Sequence, residues 1–192
     1  MSAFTSAKMV EAKSMMILGP FIRERACDGQ FVWNSKGPLA KSLQETVGDA
    51  FFNTDTDRIW SVEIKAERKN TGNLFIETWS NKNLADRQSH ADRGSNPGWL
   101  FKLRADLLMY YFIDTDDLYV IDVYSLKRWA FCGGQNNGGH IWSYREVSQG
   151  KYEQLNDTCG RLVPIQDLKE ADVGLKHFKP MVMLGHVTED AQ

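Results

Sequence analysis

Trp60-Ser-Val-Glu-Ile-Lys-Ala-Glu67 is the stretch whose reading decides the fold of this chain. As a strand it points Val62, Ile64 and Ala66 to one face and Ser61, Glu63, Lys65 and Glu67 to the other. A carboxylate and an ammonium side by side on the inner part of a sheet are costly to desolvate. Their presence there points to a site that uses them.

The preceding segment strengthens that reading. Ala50-Phe-Phe-Asn53 comes before it, across the polar turn Thr54-Asp-Thr-Asp-Arg58. The apolar pattern predicts an antiparallel pair in which Asn53 meets Ile59, Phe52 meets Trp60 and Ala50 meets Val62. This register sets Asp49 opposite Glu63. Directly opposed residues have Cβ atoms about 4.5–5.5 Å apart, where two carboxylates can share one ion. A slip of one residue would turn Phe52 and Ala50 to the wrong face, so the pattern itself selects the register. Asp55 and Asp57 compete as acids, but they sit at the hairpin tip, away from Lys65.

Paired acids beside a lysine on a strand suit metal-dependent phosphodiester hydrolysis. The carboxylates hold a divalent cation, and the lysine offsets charge on the attacked phosphate or the nucleophilic water. Asp49, fourteen residues before Glu63, together with Glu63-Ile64-Lys65 resembles the active-site pattern of the PD-(D/E)xK nuclease superfamily. Downstream, Lys102-Leu-Arg-Ala-Asp-Leu-Leu-Met-Tyr-Tyr-Phe-Ile113 and Leu118-Tyr-Val-Ile-Asp-Val123 resemble the helix-to-strand hairpin of its small phage-type members. The likeness covers about residues 40–130 and departs from the pattern at Gly48, which stands in place of a proline that is often missing in the superfamily.

The resemblance implies an α/β fold with a central mixed sheet flanked by helices, a restriction-endonuclease-like core. It implies a Mg²⁺-dependent (or Mn²⁺-dependent) endonuclease or exonuclease of phage-type or resolvase-like kind. Asp49, Glu63 and the Ile64 carbonyl would ligate the ion, and Lys65 would orient or deprotonate the attacking water. DNA is the implied partner, with a homodimer as an assembly option. The implied location is cytoplasmic, in a bacterial host for a phage-encoded member. The competing reading is a catalytically inactive nucleic-acid-binding or assembly protein on the same fold.

Composition bounds these readings. At 192 residues the chain suits a single domain, with a core at about 37–131 and a C-terminal extension at 132–192. No window approaches eighteen uninterrupted apolar residues, and no secretory signal is visible, so no membrane partner is expected. Cys27, Cys132 and Cys159 are widely spaced and odd in number, which reads as free thiols. A net charge of −2 is low for a DNA binder. A nuclease manages with clustered cations and the charge of its own metal. The clusters are Lys65, Arg68 and Lys69; Arg87 and Arg93; Lys102 and Arg104; and Lys127 and Arg128. Lys102, Arg104, Arg68 and Lys69 are the expected nucleic-acid contacts.

Along the chain, residues 2–19 have helical composition and read as a peripheral helix over one sheet edge, with 21–34 partly extended. Residues 37–46 read as a helix with Pro38 in its first turn. Asn70-Thr-Gly-Asn73 signals a hairpin that leads into Leu74–Trp79. Residues 80–96 read as an exposed loop, and Asn96 as the cap of a helix running to about Arg104. Strands are expected over 107–113 and 118–123, then a short helix capped by Ser125 and ending at Phe131. Gly133–Gly139 suits a loop over a site. Residues 141–147, 152–156 and 161–165 look extended, and 165–175 helical.

Three acids are auxiliary candidates. A three-residue turn at Asn70 would make Glu77 face Lys65; a two-residue turn would point it away. Glu67 shares the face of Glu63 and Lys65, two residues on. Glu45, on the helix before Asp49, fits a second-metal carboxylate, although an exposed helical Glu is the commoner role. His90, His140, His177, His186, Cys132 and Cys159 lack zinc-ligand spacing, and Gly133–Gly139 lacks the spacing and lysine of a phosphate loop. Trp79, Trp99 and Trp142 are candidates for stacking on unpaired bases.

Overall fold

Three strands in succession carry the selected register. In the computed structural model β1 (Phe31–Trp33), β2 (Ala50–Asn53) and β3 (Ile59–Glu67) run antiparallel. Ala50 meets Val62, Phe52 meets Trp60 and Asn53 meets Ile59, as the apolar pattern requires. Residues 3–25, 31–33, 47–54, 58–80, 97–133, 138–148 and 158–185 are described. The expected helix at 37–46, with Glu45, lies outside them, as do Asp55, Asp57, Arg87, Arg93, His90, His186, Cys27 and the strand expected at 152–156. By contact the chain falls into two compact units, 1–71 with 105–122 and 175–192, and 72–104 with 123–174.

The fold is α/β with a mixed central sheet. In the first unit the order is β1-β2-β3-β5-β6-β9, where β5 is Leu107–Phe112, β6 Asp117–Asp122 and β9 Lys176–Phe178. β3 and β5 are parallel, with Val62 beside Leu107 and Lys65 beside Tyr110; the other neighbours are antiparallel. Asp106 pins this parallel register. Its carboxylate accepts hydrogen bonds from the Ser61 amide and hydroxyl, each at 2.8 Å, and its own amide donates to the Ser61 carbonyl at 3.0 Å. Burial pushes the Asp106 carboxyl up, but the Ser61 and Arg58 hydrogen bonds outweigh it and hold the group below its ordinary range.

Helix α1 (Ala3–Arg23) extends past the expected Gly19 and is not peripheral. Leu18, Phe21 and Ile22 are buried against Ala50, Val62, Met109, Tyr111, Ile113 and Leu118, with Val10 and Ile17 packed alongside. The spacing from Val10 through Ile17 and Leu18 to Phe21 and Ile22 is a helical stripe, and it lies on a sheet face rather than at an edge. Ser14 falls on the same stripe and satisfies its hydroxyl on the Glu11 carbonyl at 2.7 Å. Among the described residues no helix is long and apolar enough to cross a membrane.

The second unit holds a three-stranded antiparallel sheet, β4-β8-β7, with β4 at Asn73–Trp79, β7 at Glu146–Ser148 and β8 at Cys159–Pro164. The expected hairpin from β3 into β4 does not form. Asn70 instead sends its side-chain amide to Asp117 at 2.8 Å, and the Gly72 carbonyl accepts from Ile165 at 2.9 Å. Leu74, Phe75 and Ile76 are buried in a row, a pattern for a strand covered on both faces, and β4 takes β8 as its partner.

Three helices shorter than expected, or shifted, and a fourth that was not expected complete the described chain. These are α2 (Trp99–Lys102), α3 (Val123–Phe131), α4 (Ile165–Glu170) and α5 (Pro180–Met183). Helix α2 begins after Gly98, which presses on β4: an added Cβ would lie 2.3 Å from the Glu77 carbonyl oxygen. Helix α3 starts two residues before Ser125. The expected strand from Ile141 is a 3-10 turn (His140–Ser143) followed by β7.

Candidate active site

Asp49 reaches the site because Gly48 lets it. Gly48 has φ +118, and a Cβ there would lie 2.6 Å from the Val62 carbonyl oxygen and 2.9 Å from its carbon. Only glycine brings the backbone that close to β3 in that conformation. Asp49 then donates its amide to the Val62 carbonyl at 2.7 Å and accepts from the Ile64 amide on Oδ2 at 2.8 Å. Its side chain thus continues the ladder where the β2 backbone leaves it. Gly48→Ala is expected to cost about 2 kcal/mol, the scale of an enforced left-handed conformation. Urea denaturation measures it; an unchanged midpoint would show that the loop relaxes freely.

Glu63 and Lys65 sit on one face of β3 and pair at 2.6 Å, with side chains 15% and 32% exposed. Burial pushes the Glu63 carboxyl above its ordinary value; the Lys65 ammonium pulls it back, and the Asp49 charge adds to the rise. Two carboxylates whose charges oppose each other, beside the carbonyl of Ile64, form a set of hard oxygen donors that fits Mg²⁺ or Mn²⁺. Within a strand the N–H and C=O of one residue project to the same edge. The Ile64 carbonyl therefore lies on the edge where Asp49 sits. Among the described residues no group of three or more His, Cys, Asp or Glu side chains converges on a metal-sized site.

A raised carboxyl has a thermodynamic signature. The stability linked to Glu63 is fully present below its ordinary value of about 4.3 and is lost as pH rises through its higher folded value. Ionised Glu63 therefore costs stability at neutral pH. Glu63→Gln is expected to melt at or above the wild-type temperature in EDTA while losing any metal-dependent activity. A clear drop in melting temperature would make the Glu63–Lys65 pair a net structural bond.

The same face continues across the sheet. Lys65 lies beside Tyr110, Tyr110 beside Tyr119, and Tyr119 beside His177, a row on four strands spanning roughly 14 Å. The Tyr110 hydroxyl donates to Glu67, whose carboxyl is pushed up by burial and drawn back by that bond. The auxiliary candidate Glu67 is thus held by a tyrosine. At the far end of the face, buried Asp117 accepts from Lys179, His177 and Asn70. Neither Tyr110 nor the Asp117 group was visible in the sequence: Tyr110 sits in an apolar run, and Asp114–Asp117 reads as turn chemistry.

Glu77 lies on β4 opposite Gly160 and accepts from Ser80 at 2.7 Å; β4 is not a neighbour of β3, so neither of the two hairpin alignments open to Glu77 forms. Arg68 and Lys69 are exposed just beyond β3, with Arg68 in a loose pair with Asp114 at 3.8 Å. Lys102 and Arg104 are exposed in the second unit, and Asp106 pairs with Arg58. Cys132 and Cys159 are free thiols. A comparison with protein-family models, curated proteins and solved structures finds no match to this chain.

Proposed function

We propose that this chain is a metal-dependent nuclease that hydrolyses phosphodiester bonds in DNA, built on a restriction-endonuclease-like core akin to the PD-(D/E)xK superfamily. The observation that carries the reading is the Asp49 carboxylate turned onto the Ile64 amide, on the same strand segment as the Glu63–Lys65 pair. The parallel β3–β5 pair and the helix packed on the sheet support the same core.

Asp49, Glu63 and the Ile64 carbonyl would hold Mg²⁺ or Mn²⁺, which when bound polarises a phosphoryl oxygen and acidifies a water. The chain's own residues do the rest. Glu63 fixes the Lys65 ammonium at 2.6 Å, so the cation is in place before substrate arrives. Lys65 orients the attacking water and offsets the negative charge that builds on the phosphorus oxygens. Glu67, held by Tyr110, sets the charge at the rim of the same face.

Incubation of supercoiled plasmid with Mg²⁺ or Mn²⁺ should give nicked or linear product, and EDTA should prevent it. Discrete fragments would mark a site-specific endonuclease. Failure to cleave duplex, single-stranded or branched DNA with either ion would sink the hydrolytic reading in favour of a DNA-binding protein without catalysis on the same scaffold.

A further inference from the structure

The second unit carries a run of cations with no acids among them. Residues 97–105 and 123–145 contain Lys102, Arg104, Lys127, Arg128 and Arg145 but no Asp or Glu, in a chain of net charge −2. The fold gathers them. Lys127 donates its ammonium to the carbonyls of Phe101 and Leu103 at the end of α2, and burial, then the Arg104 charge, push its pKa down. Helix α3 buries Val123, Leu126 and Ala130, so Tyr124, Lys127, Arg128 and Phe131, at i, i+3, i+4 and i+7, share its other side.

Aromatic rings are interleaved with these cations. Phe131 stacks on Phe101 with centroids 4.7 Å apart, and Trp142 lies 6.2 Å from Phe101. The Arg161 guanidinium sits 5.4 Å from the Trp142 ring and is itself held by Glu146 and the Tyr144 carbonyl, each at 2.9 Å. Yet Phe101, Trp142 and Tyr124 keep 38%, 39% and 74% of their surface. Large rings left facing water beside Lys102, Arg104 and Arg128, for which no ion pair is found among the described residues, are suited to a ligand that offers both flat faces and negative charge.

We infer that this face binds single-stranded DNA, stacking bases on Tyr124, Phe101 and Trp142 while Lys102, Arg104 and Arg128 neutralise phosphates. An unpaired strand exposes base faces next to its backbone, and stacking works with any base. A duplex hides those faces and would need only the cations. The inference goes beyond the proposed hydrolysis and stands without it.

Fluorescence anisotropy of the full chain, in EDTA and across a KCl series, tests it with labelled oligothymidine and a duplex of equal length. The single strand is expected to bind at least about tenfold tighter than the duplex. Tyr124→Ser and Trp142→Ala should each weaken it roughly tenfold, and Trp142→Phe should retain binding. The Lys102→Gln, Arg104→Gln double variant should lower the salt slope by about 1.4. Tyr124 is so exposed that its replacement cannot disturb folding, which keeps the test decisive if Trp142→Ala fails to fold. Equal affinity for duplex, tighter binding of an RNA strand, or unchanged affinity in Tyr124→Ser would overturn the inference. So would a dimer that Tyr124→Ser dissolves, because the face would then join two copies of the chain. Binding is read without turnover. A chain that binds single strands but never cleaves upholds this inference and sinks the nuclease reading alone; cleavage with no strand preference does the reverse.

Discussion

Lys65→Ala should lower metal-dependent DNA cleavage at least about a hundredfold while leaving the chain folded. The first half follows from what the ammonium does. It is fixed by Glu63 on one face of β3, so its charge is in place before any phosphate arrives. Removing one preorganised electrostatic stabiliser costs about 3 kcal/mol of barrier. The second half follows from where the side chain is. The core of the first unit packs on the opposite face of β3, through Val62 and Ile64, and Lys65 lies outside that cluster. The measurement is the single-turnover cleavage rate beside a thermal melt. Lys65→Arg should recover only part of the loss, because a planar fork does not reproduce a point ammonium. Cleavage within a few-fold of wild type, in a variant that melts normally, would make Lys65 a structural cation.

How much of this was legible in the sequence depended on whether the signal was local. The β2–β3 register could be read because Ala50, Phe52, Trp60 and Val62 allow one alignment only, and a single slip inverts them. The register ends at Ala50 and Val62, so the expected pairing of Asp49 with Glu63 is not part of it; Asp49 bonds the Val62 carbonyl and the Ile64 amide instead, and the device that holds it there was not legible. That device is a contact between the Gly48 backbone and Val62, and no side-chain pattern announces it. The fate of β4 was misread for a different reason. Asn70-Thr-Gly-Asn73 is a good turn, but a turn does not choose the sheet into which the chain emerges. Three consecutive buried residues, Leu74 to Ile76, make that choice and carried the signal for a separate sheet. Helix α1 was underestimated because its apolar stripe runs on past Gly19 and Pro20 to Phe21 and Ile22. The Asp117 group was invisible because its members are far apart in sequence: Asn70, Asp117, His177 and Lys179 meet only when β6 and β9 pair.

That group carries the largest expected effect on stability. Asp117 has a side chain only 11% exposed, with Lys179 at 2.7 Å, His177 at 2.8 Å and the Asn70 amide at 2.8 Å. It joins the end of β3, the start of β6 and the segment after β9. Removing one partner of a buried charge cluster costs about 3–5 kcal/mol. Asp117→Ala should fall at the low end, about 3 kcal/mol, because Lys179 and His177 keep 43% and 39% exposure and are rehydrated when released. Burial alone would push the Asp117 carboxyl up; the bonds from Lys179, Thr115, Asn70 and His177 outweigh it and hold the group far below its ordinary range. A depressed folded value means that this stability is present above the ordinary Asp value of about 3.9 and is lost as pH falls through the folded one. The gap between wild type and Asp117→Ala should therefore be wide at neutral pH and narrow towards about pH 2. Asp117→Asn keeps the shape and loses the charge, so it should remove the same acid-dependent part while costing less at neutral pH. Urea denaturation of all three proteins at both pH values measures these differences. A neutral-pH loss under about 1 kcal/mol, the scale of an exposed pair, or a gap that does not narrow in acid, would show that the cluster is solvated and that other contacts hold β9 to the sheet.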